Sequence, residues 1–410
     1  VVKSLEDHIR LISGGFVGIA VVFLLVGGLT EAAGQAASPQ TSAHSGFPVD
    51  IVAGPAPRLV HSSGHPWLLY ELHFTNFAPL AVNLTEVEVL GDGRVLVTYS
   101  GQALQKIAIP VEELSTAASP PSSSSNGQTL GPGHAAILFV NVELPDDAAV
   151  PVELRHRFSV SVTRSNGEVI QTTVTGVVVP VIKDSVPVLS APLRGKGWIA
   201  FNALGAADHR RSLNAVDGRE RIPQRFAIDW VRLGPDGKLF HGNTKSNASY
   251  YGYGAEVLAV ADGQVSDLKD GLEENAGSTE RRNRVVTLDN VLGNYIILDL
   301  GHSRFAVYAH LRPGTLMVKL GDRVKAGQVL ARLGNSGNSD APHLHFQLVD
   351  GNSGLAGEGI PYELASFIHL GFAEDEDALE AGQPWRSTNP APAAQRSREF
   401  PSDKEVVDLP

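Results

Sequence analysis

Apolar side chains recur at every second position through much of the first half of the chain. Leu68, Tyr70, Leu72 and Phe74 alternate with polar or smaller residues, as do Leu138, Val140, Val142 and Leu144, then Phe158, Val160 and Val162. A period of two marks a half-buried strand, because successive β side chains point to opposite faces. Arg164-Ser165-Asn166-Gly167 separates Val160 to Thr163 from Val169 to Thr175. An Asn-Gly pair tolerates positive φ, so this spacing predicts a hairpin. Ser119 to Asn126 reads as a solvated loop. Residues 47–184 are therefore expected to form an antiparallel β-sandwich of immunoglobulin-like type.

At 410 residues and 43% hydrophobic content, the chain is long enough for two domains behind a leader. Residues 1–37 read as that leader, a signal peptide. Lys3 and Arg10 precede the apolar run Gly14 to Leu29, and the small residues Ala32-Ala33-Gly34-Gln35-Ala36-Ala37 follow it. Left uncleaved, the same run would be a signal anchor, the one route to membrane contact. Residues 38–46, rich in Ser, Ala, Gln and Thr, are the expected linker. These features predict export to the periplasm or the extracellular cell envelope. A net charge of −11 argues against a nucleic-acid partner, which would need a basic stripe. Cysteine is absent, which excludes disulfides, thiolate ligands and thiol nucleophiles. Chemistry is left to histidines and carboxylates.

A second region, 185–372, is rich in glycine and short strands. Tyr295 to Leu300 and Arg304 to Ala309 flank Gly301-His302-Ser303 and predict a hairpin. On its second strand, alternation places Ala306, Tyr308 and His310 on one face, read as the polar side. The tail 373–410 opens with Glu374-Asp375-Glu376-Asp377, continues Pro, Ala and Ser rich, and is expected to be disordered. In Pro342-His343-Leu344-His345-Phe346, the two imidazoles share a face while Leu344 and Phe346 point inward. Asp229 shares a face with Ala227, opposite Phe226, Ile228 and Trp230. An aspartate looking out of an apolar strand suits a ligand, since zinc takes imidazole nitrogen and carboxylate oxygen. The other histidines, His61, His65, His73, His134 and His156, are scattered and read as ordinary structure.

Several stretches occur in the order seen in lysostaphin-type (LytM) zinc metallopeptidases. They are Gly254 to Val265, Asn294 to Leu300, Tyr308-Ala309-His310-Leu311, Val324 to Gln328, Gly334 to Ser339, and His343-Leu344-His345-Phe346. The chain resembles that family over about residues 225–350. The resemblance implies an antiparallel β-groove holding one zinc and cleaving stem peptides or cross-bridges of bacterial peptidoglycan. It also implies zinc ligation by Asp229 and His345, with His343 and His310 acting on the water and the developing oxyanion. Zinc lowers the pKa of its water to about 7, and neutral imidazoles can move the protons that amide cleavage requires. The alternative is a degenerate module that binds peptidoglycan or activates another cell-wall hydrolase.

One position departs from the family. Its first motif is HxxxD, yet the residue four before Asp229 is Arg225. A guanidinium has no lone pair and cannot ligate. His209, in Asp208-His209-Arg210-Arg211, is the preferred replacement, because a secreted subgroup of the family carries a similar His-Arg-Arg before Arg-Phe-Ala-Ile-Asp. His241 is the runner-up, and a site without a third protein ligand is the remaining option. Arg225, Arg210 and Arg211 read as ion-paired or solvated side chains, with stem-peptide carboxylates as their functional alternative.

Overall fold

The computed structural model describes residues 47–114, 127–206, 208–277, 285–387 and 393–410. The expected leader and linker, and the loop Ser119 to Asn126, lie outside the described residues. Among the described residues, no helix is long and apolar enough to cross a membrane.

The fold is mainly β. Residues 49–180 build two five-stranded sheets. One contains His65–Asn76 paired antiparallel with Ala135–Glu143, the other Glu153–Thr163 between Val82–Gly91 and Val169–Pro180. The alternating side chains do what their period predicts. Leu68, Tyr70, Leu72, Phe74, Leu138 and Val140 meet Phe158, Val160 and Val162 in one core. The hairpin forms at Gly167, where φ is 84° and Thr163 pairs with Val169.

The opposite face of the first sheet is also covered. Ile137 and Phe139 pack under Leu213 and Ile222, which belong to the next region. Burying side chains of this size contributes about 1.5–3 kcal/mol each, so the segment around 209–225 is held against that sheet. The acidic residue of this face, Glu71, is fully buried beneath it.

Residues from Val188 onward build an eleven-stranded sheet. Across its middle run Gly195–Phe201, Ile228–Arg232, Leu344–Val349, Phe305–Leu311, Asn294–Asp299 and Gly263–Lys269, each paired with the next. Trp198, Ile228, Trp230, Tyr308, Leu344 and Phe346 fill the core beneath one face. The opposite face carries the functional side chains.

The tail corrects the expectation of disorder. Glu405–Leu409 is a strand between Gly195–Phe201 and Glu363–Phe372, and Ala394–Glu399 pairs with the latter. Composition averaged over the tail hid a short Glu-Val-Val-Asp-Leu run whose Val406, Val407 and Leu409 are buried. The acidic run is a helix start: Asp375 caps Glu376–Glu380 by accepting from the Ala378 N–H at 3.0 Å, and acidic residues there oppose the helix dipole favourably.

Candidate metal centre

Sheet register brings two of the expected residues together. Asp229 pairs with His345 across adjacent strands, and His345 pairs on its other side with Ala309. Directly opposed residues of antiparallel strands share a face. The inward residues Ile228, Trp230, Leu344 and Phe346 lock this register, because a one-residue slip would turn them to solvent.

His345 Nδ1 lies 2.9 Å from Asp229 Oδ1, and its Nε2 lies 2.8 Å from Gln347 Oε1. The Gln347 amide nitrogen donates to the Gly354 carbonyl at 2.9 Å, so its oxygen faces the ring and must accept. That places the imidazole proton on Nε2 and a lone pair on Nδ1. Two acceptors then face each other at 2.9 Å. Such an arrangement requires a cation between them or a second proton on the ring.

His209 closes a third side. Its Nε2 is 3.1 Å from Asp229 Oδ2, and its ring centroid is 4.9 Å from that of His345. Ligand atoms of His209, Asp229 and His345 all lie within 4.8 Å of one another, close enough to share one ion. His209 Nδ1 is buried without a hydrogen bond of ordinary geometry, though the Ala227 carbonyl adds to the upward pull on the ring. Asn202 steadies the carboxylate by donating to Asp229 Oδ2 at 2.9 Å. The donor set of two imidazoles and one carboxylate suits zinc.

The other candidates fall elsewhere. His241 is exposed, with its ring 5.0 Å from that of Tyr251, outside the cluster. Arg225 points away from Asp229, donating to Glu71 Oε2 at 2.9 Å, to Glu358 Oε2 at 3.1 Å and to the Gly359 carbonyl at 3.1 Å. Arg210 pairs with Glu71 Oε1 at 2.9 Å, and Arg211 donates to the Lys106 carbonyl. The ion-paired reading therefore fits Arg225 and Arg210.

His343 and His310 stand on the remaining sides. His343 Nδ1 donates to the Ala341 carbonyl at 2.9 Å, and its Nε2 is 3.4 Å from Asp229 Oδ1. His310 Nδ1 donates to the Ser336 carbonyl at 2.8 Å, leaving Nε2 as the free nitrogen. Its ring lies 4.7 Å from His343 and 5.7 Å from His345, centroid to centroid.

His310 arrives there by a route that alternation misplaces. Ala306 and Tyr308 point into the core, so the face assigned to His310 is the apolar one. At His310 φ is +62°, and the pairing with the neighbouring strand shifts register between Asn294 and Ile296. This left-handed residue turns the ring out of the core side and toward His343. For a non-glycine residue the conformation costs about 1–3 kcal/mol and is typically retained at functional sites.

The turn before the HxH strand is locked by its glycines. At Gly337, φ is +77° and a Cβ would come within 2.3 Å of the Gly293 nitrogen. Asn275 holds the turn from outside by donating to the Gly337 and Ser339 carbonyls, each at 2.8 Å. Gln347, Asn202 and Asn275 had no part in the sequence reading. Gln347 alone left a signal, being two residues after His345 on the same strand face.

Electrostatics link these groups. Burial pushes the Asp229 carboxyl up, but His209 and His343 outweigh it and hold Asp229 well below the usual range. Burial lowers His209 and His343, yet Asp229 more than reverses this and raises both. His310 is driven well below its ordinary value, by burial first and then by His343 and His345. Without metal, protons on His209 and His343 balance the carboxylate. Because their folded pKa values are raised, that stabilisation is complete below about pH 6.5 and is lost as pH rises through the folded values. A divalent cation displaces the proton on the ligating ring of His209, so its affinity falls as pH drops. The thermal shift produced by zinc should therefore grow between pH 6 and 8, as measured by melting with and without the ion. A shift that shrank over that range would contradict this balance.

The model of peptidase family M23 matches residues 248–355. Peptidoglycan DD-endopeptidase ShyA of Vibrio cholerae is 37% identical over 143 residues, 32% of this chain and 28% of that protein. Glycyl-glycine endopeptidase ALE-1 of Staphylococcus capitis is 34% identical over 137 residues, 32% of this chain and 33% of that protein. The chain thus spans a quarter to a third of the length of these curated relatives. The catalytic domain of the antimicrobial peptidase lysostaphin from Staphylococcus simulans covers 31% of this chain and 86% of its own, with 24% identity and a TM-score of 0.19. The chain carries a lysostaphin-type domain of peptidase family M23, with a His/Asp/His cluster placed to hold a metal ion.

Proposed function

We propose that this protein is an exported zinc-dependent endopeptidase that hydrolyses peptide bonds in the stem peptides or cross-links of bacterial peptidoglycan. The observation that carries the reading is the convergence of His209, Asp229 and His345, whose ligand atoms all lie within 4.8 Å of one another, with His345 Nδ1 2.9 Å from Asp229 Oδ1. A divalent cation would satisfy both imidazoles and the carboxylate at once, in place of the protons that balance the carboxylate without it. The two relatives share endopeptidase action and differ in the bond named, which supports a class of substrate and not one particular bond.

In this reading His209, Asp229 and His345 hold the ion. Zinc bound there would polarise the scissile carbonyl and make hydroxide available near neutral pH. His310 Nε2, neutral and unprotonated, takes a proton from the attacking water. His343 Nε2, raised by Asp229, offers a proton toward the oxyanion and the leaving amine. The Nδ1–H bonds of both rings to backbone carbonyls fix which nitrogen faces the reaction. The catalytic face becomes the floor of a β-groove, walled in part by the loop from Leu233 to Gly252. The N-terminal sheets, 47–184, form an immunoglobulin-like sandwich, and the peptidase domain follows from 185.

Incubation with purified peptidoglycan tests the reading. Zinc-loaded protein should release peptides with new termini, detected by mass spectrometry, and chelation followed by added zinc should abolish and then restore release. Undigested peptidoglycan would favour a binding or activating module instead.

A further inference from the structure

Asp229 and His345 are placed by sheet register, but His209 is not on a strand. It lies in an irregular segment between Gly195–Phe201 and Asn214–Val216, in which Gly205 takes φ of +103°. No ladder holds it, so something else must fix its ring to the tolerance a metal site demands. The next residue, Arg210, is buried in the N-terminal sheet. Its Nε donates to Glu71 Oε1 at 2.9 Å, its Nη2 to the Tyr70 and Val140 carbonyls at 2.9 and 3.0 Å, and its Nη1 to Asn141 Oδ1. The guanidinium also lies over the Phe139 ring, 5.6 Å from its centroid.

The other oxygen of Glu71 accepts from Arg225 at 2.9 Å. Arg225 stands where the family's first ligand would be, four residues before Asp229. One buried carboxylate of the N-terminal region therefore grips the neighbour of His209 and the segment that leads into Asp229. Each arginine gives one Nε–H to its own oxygen of Glu71 and its other N–H groups to neighbouring acceptors, so the planar guanidinium is fixed in direction as well as distance. A buried ionic triad is a poor source of stability, so its value lies in placement.

We propose that Glu71 is a positioning residue of the metal centre, and that the N-terminal sheet pair is a structural part of that centre. The inference rests on the reading of His209 as a metal ligand. It gives the substitution of Arg225 for the family's histidine a physical sense. The ligand has moved to a loop, and the vacated position helps build the clamp that holds the loop.

Full-length protein carrying Glu71→Gln tests this. A second variant, Glu71→Met with Arg210→Met, removes the pair together and strands no charge, because Arg225 keeps Glu358 at 3.1 Å. Phe158→Leu, in the core on the opposite face of the sheet from Glu71, controls for general destabilisation. The readouts are zinc affinity by chelator competition and the visible absorption of bound Co²⁺, which reports ligand geometry. Both Glu71 variants should bind zinc about 10- to 100-fold more weakly, as outer-sphere partners do, with weakened Co²⁺ bands. The double variant should melt close to wild type, and Phe158→Leu should melt earlier with unchanged metal binding.

Wild-type affinity and spectrum in both Glu71 variants would overturn the proposal. So would equal metal loss in Phe158→Leu, or a double variant that cannot fold, since either would make the triad a stability element. Absence of stoichiometric metal in wild type would instead refute the metal centre itself, and this inference with it.

Discussion

His209→Ala should leave a folded chain that no longer retains zinc. Zinc affinity should fall by more than about 100-fold, beyond the range seen for outer-sphere partners, and peptide release should drop to background. His241→Ala should change neither, because that ring is exposed and lies against Tyr251. Metal analysis after dialysis, run beside a digestion assay, distinguishes the two. Full metal occupancy in His209→Ala would assign the third corner to another group.

His310→Ala should show the complementary pattern. The metal stays bound while kcat falls by about 10²- to 10⁴-fold, the usual span for loss of a general acid or base. KM should hold, since the ring acts in the transition state rather than in ground-state binding. His310 is neutral to well below pH 6.5 in the metal-free fold, by burial and by neighbouring imidazoles, so it is already in its base form at neutral pH. Stability should move against activity at this position. At φ of +62°, glycine relieves strain that alanine keeps, so His310→Gly should be roughly 1 kcal/mol more stable than His310→Ala. Equal melting of the two variants would show that the left-handed conformation is not strained.

What could be read from sequence divides along the same physical lines. Alternation disclosed the strands around Leu68, Leu138 and Phe158, because each faces one continuous core. It also placed Asp229, His343 and His345 on the outward face, since their neighbours Trp230, Leu344 and Phe346 are fully buried. It failed at His310, where one left-handed residue reverses the side-chain direction and no local pattern announces it. Composition failed at the tail, because the strand Glu405–Leu409 is stabilised by partners far away in sequence. Glu71 was invisible for a related reason. Within its strand it reads as the polar half of an alternating pattern, and only the packing of residues 209–225 onto that face turns a solvent residue into a buried anion.

The central claim is that side chains far apart in sequence, His209, Asp229 and His345, meet around one divalent ion. X-ray absorption at the zinc edge on purified, reconstituted protein addresses it most directly. The account predicts one zinc per chain with only nitrogen and oxygen neighbours at about 2.0–2.2 Å, including two imidazoles, and no stoichiometric protein-bound zinc in His209→Ala under the same conditions. A chain that takes up no stoichiometric zinc, or whose zinc shell is unchanged by that substitution, would contradict it.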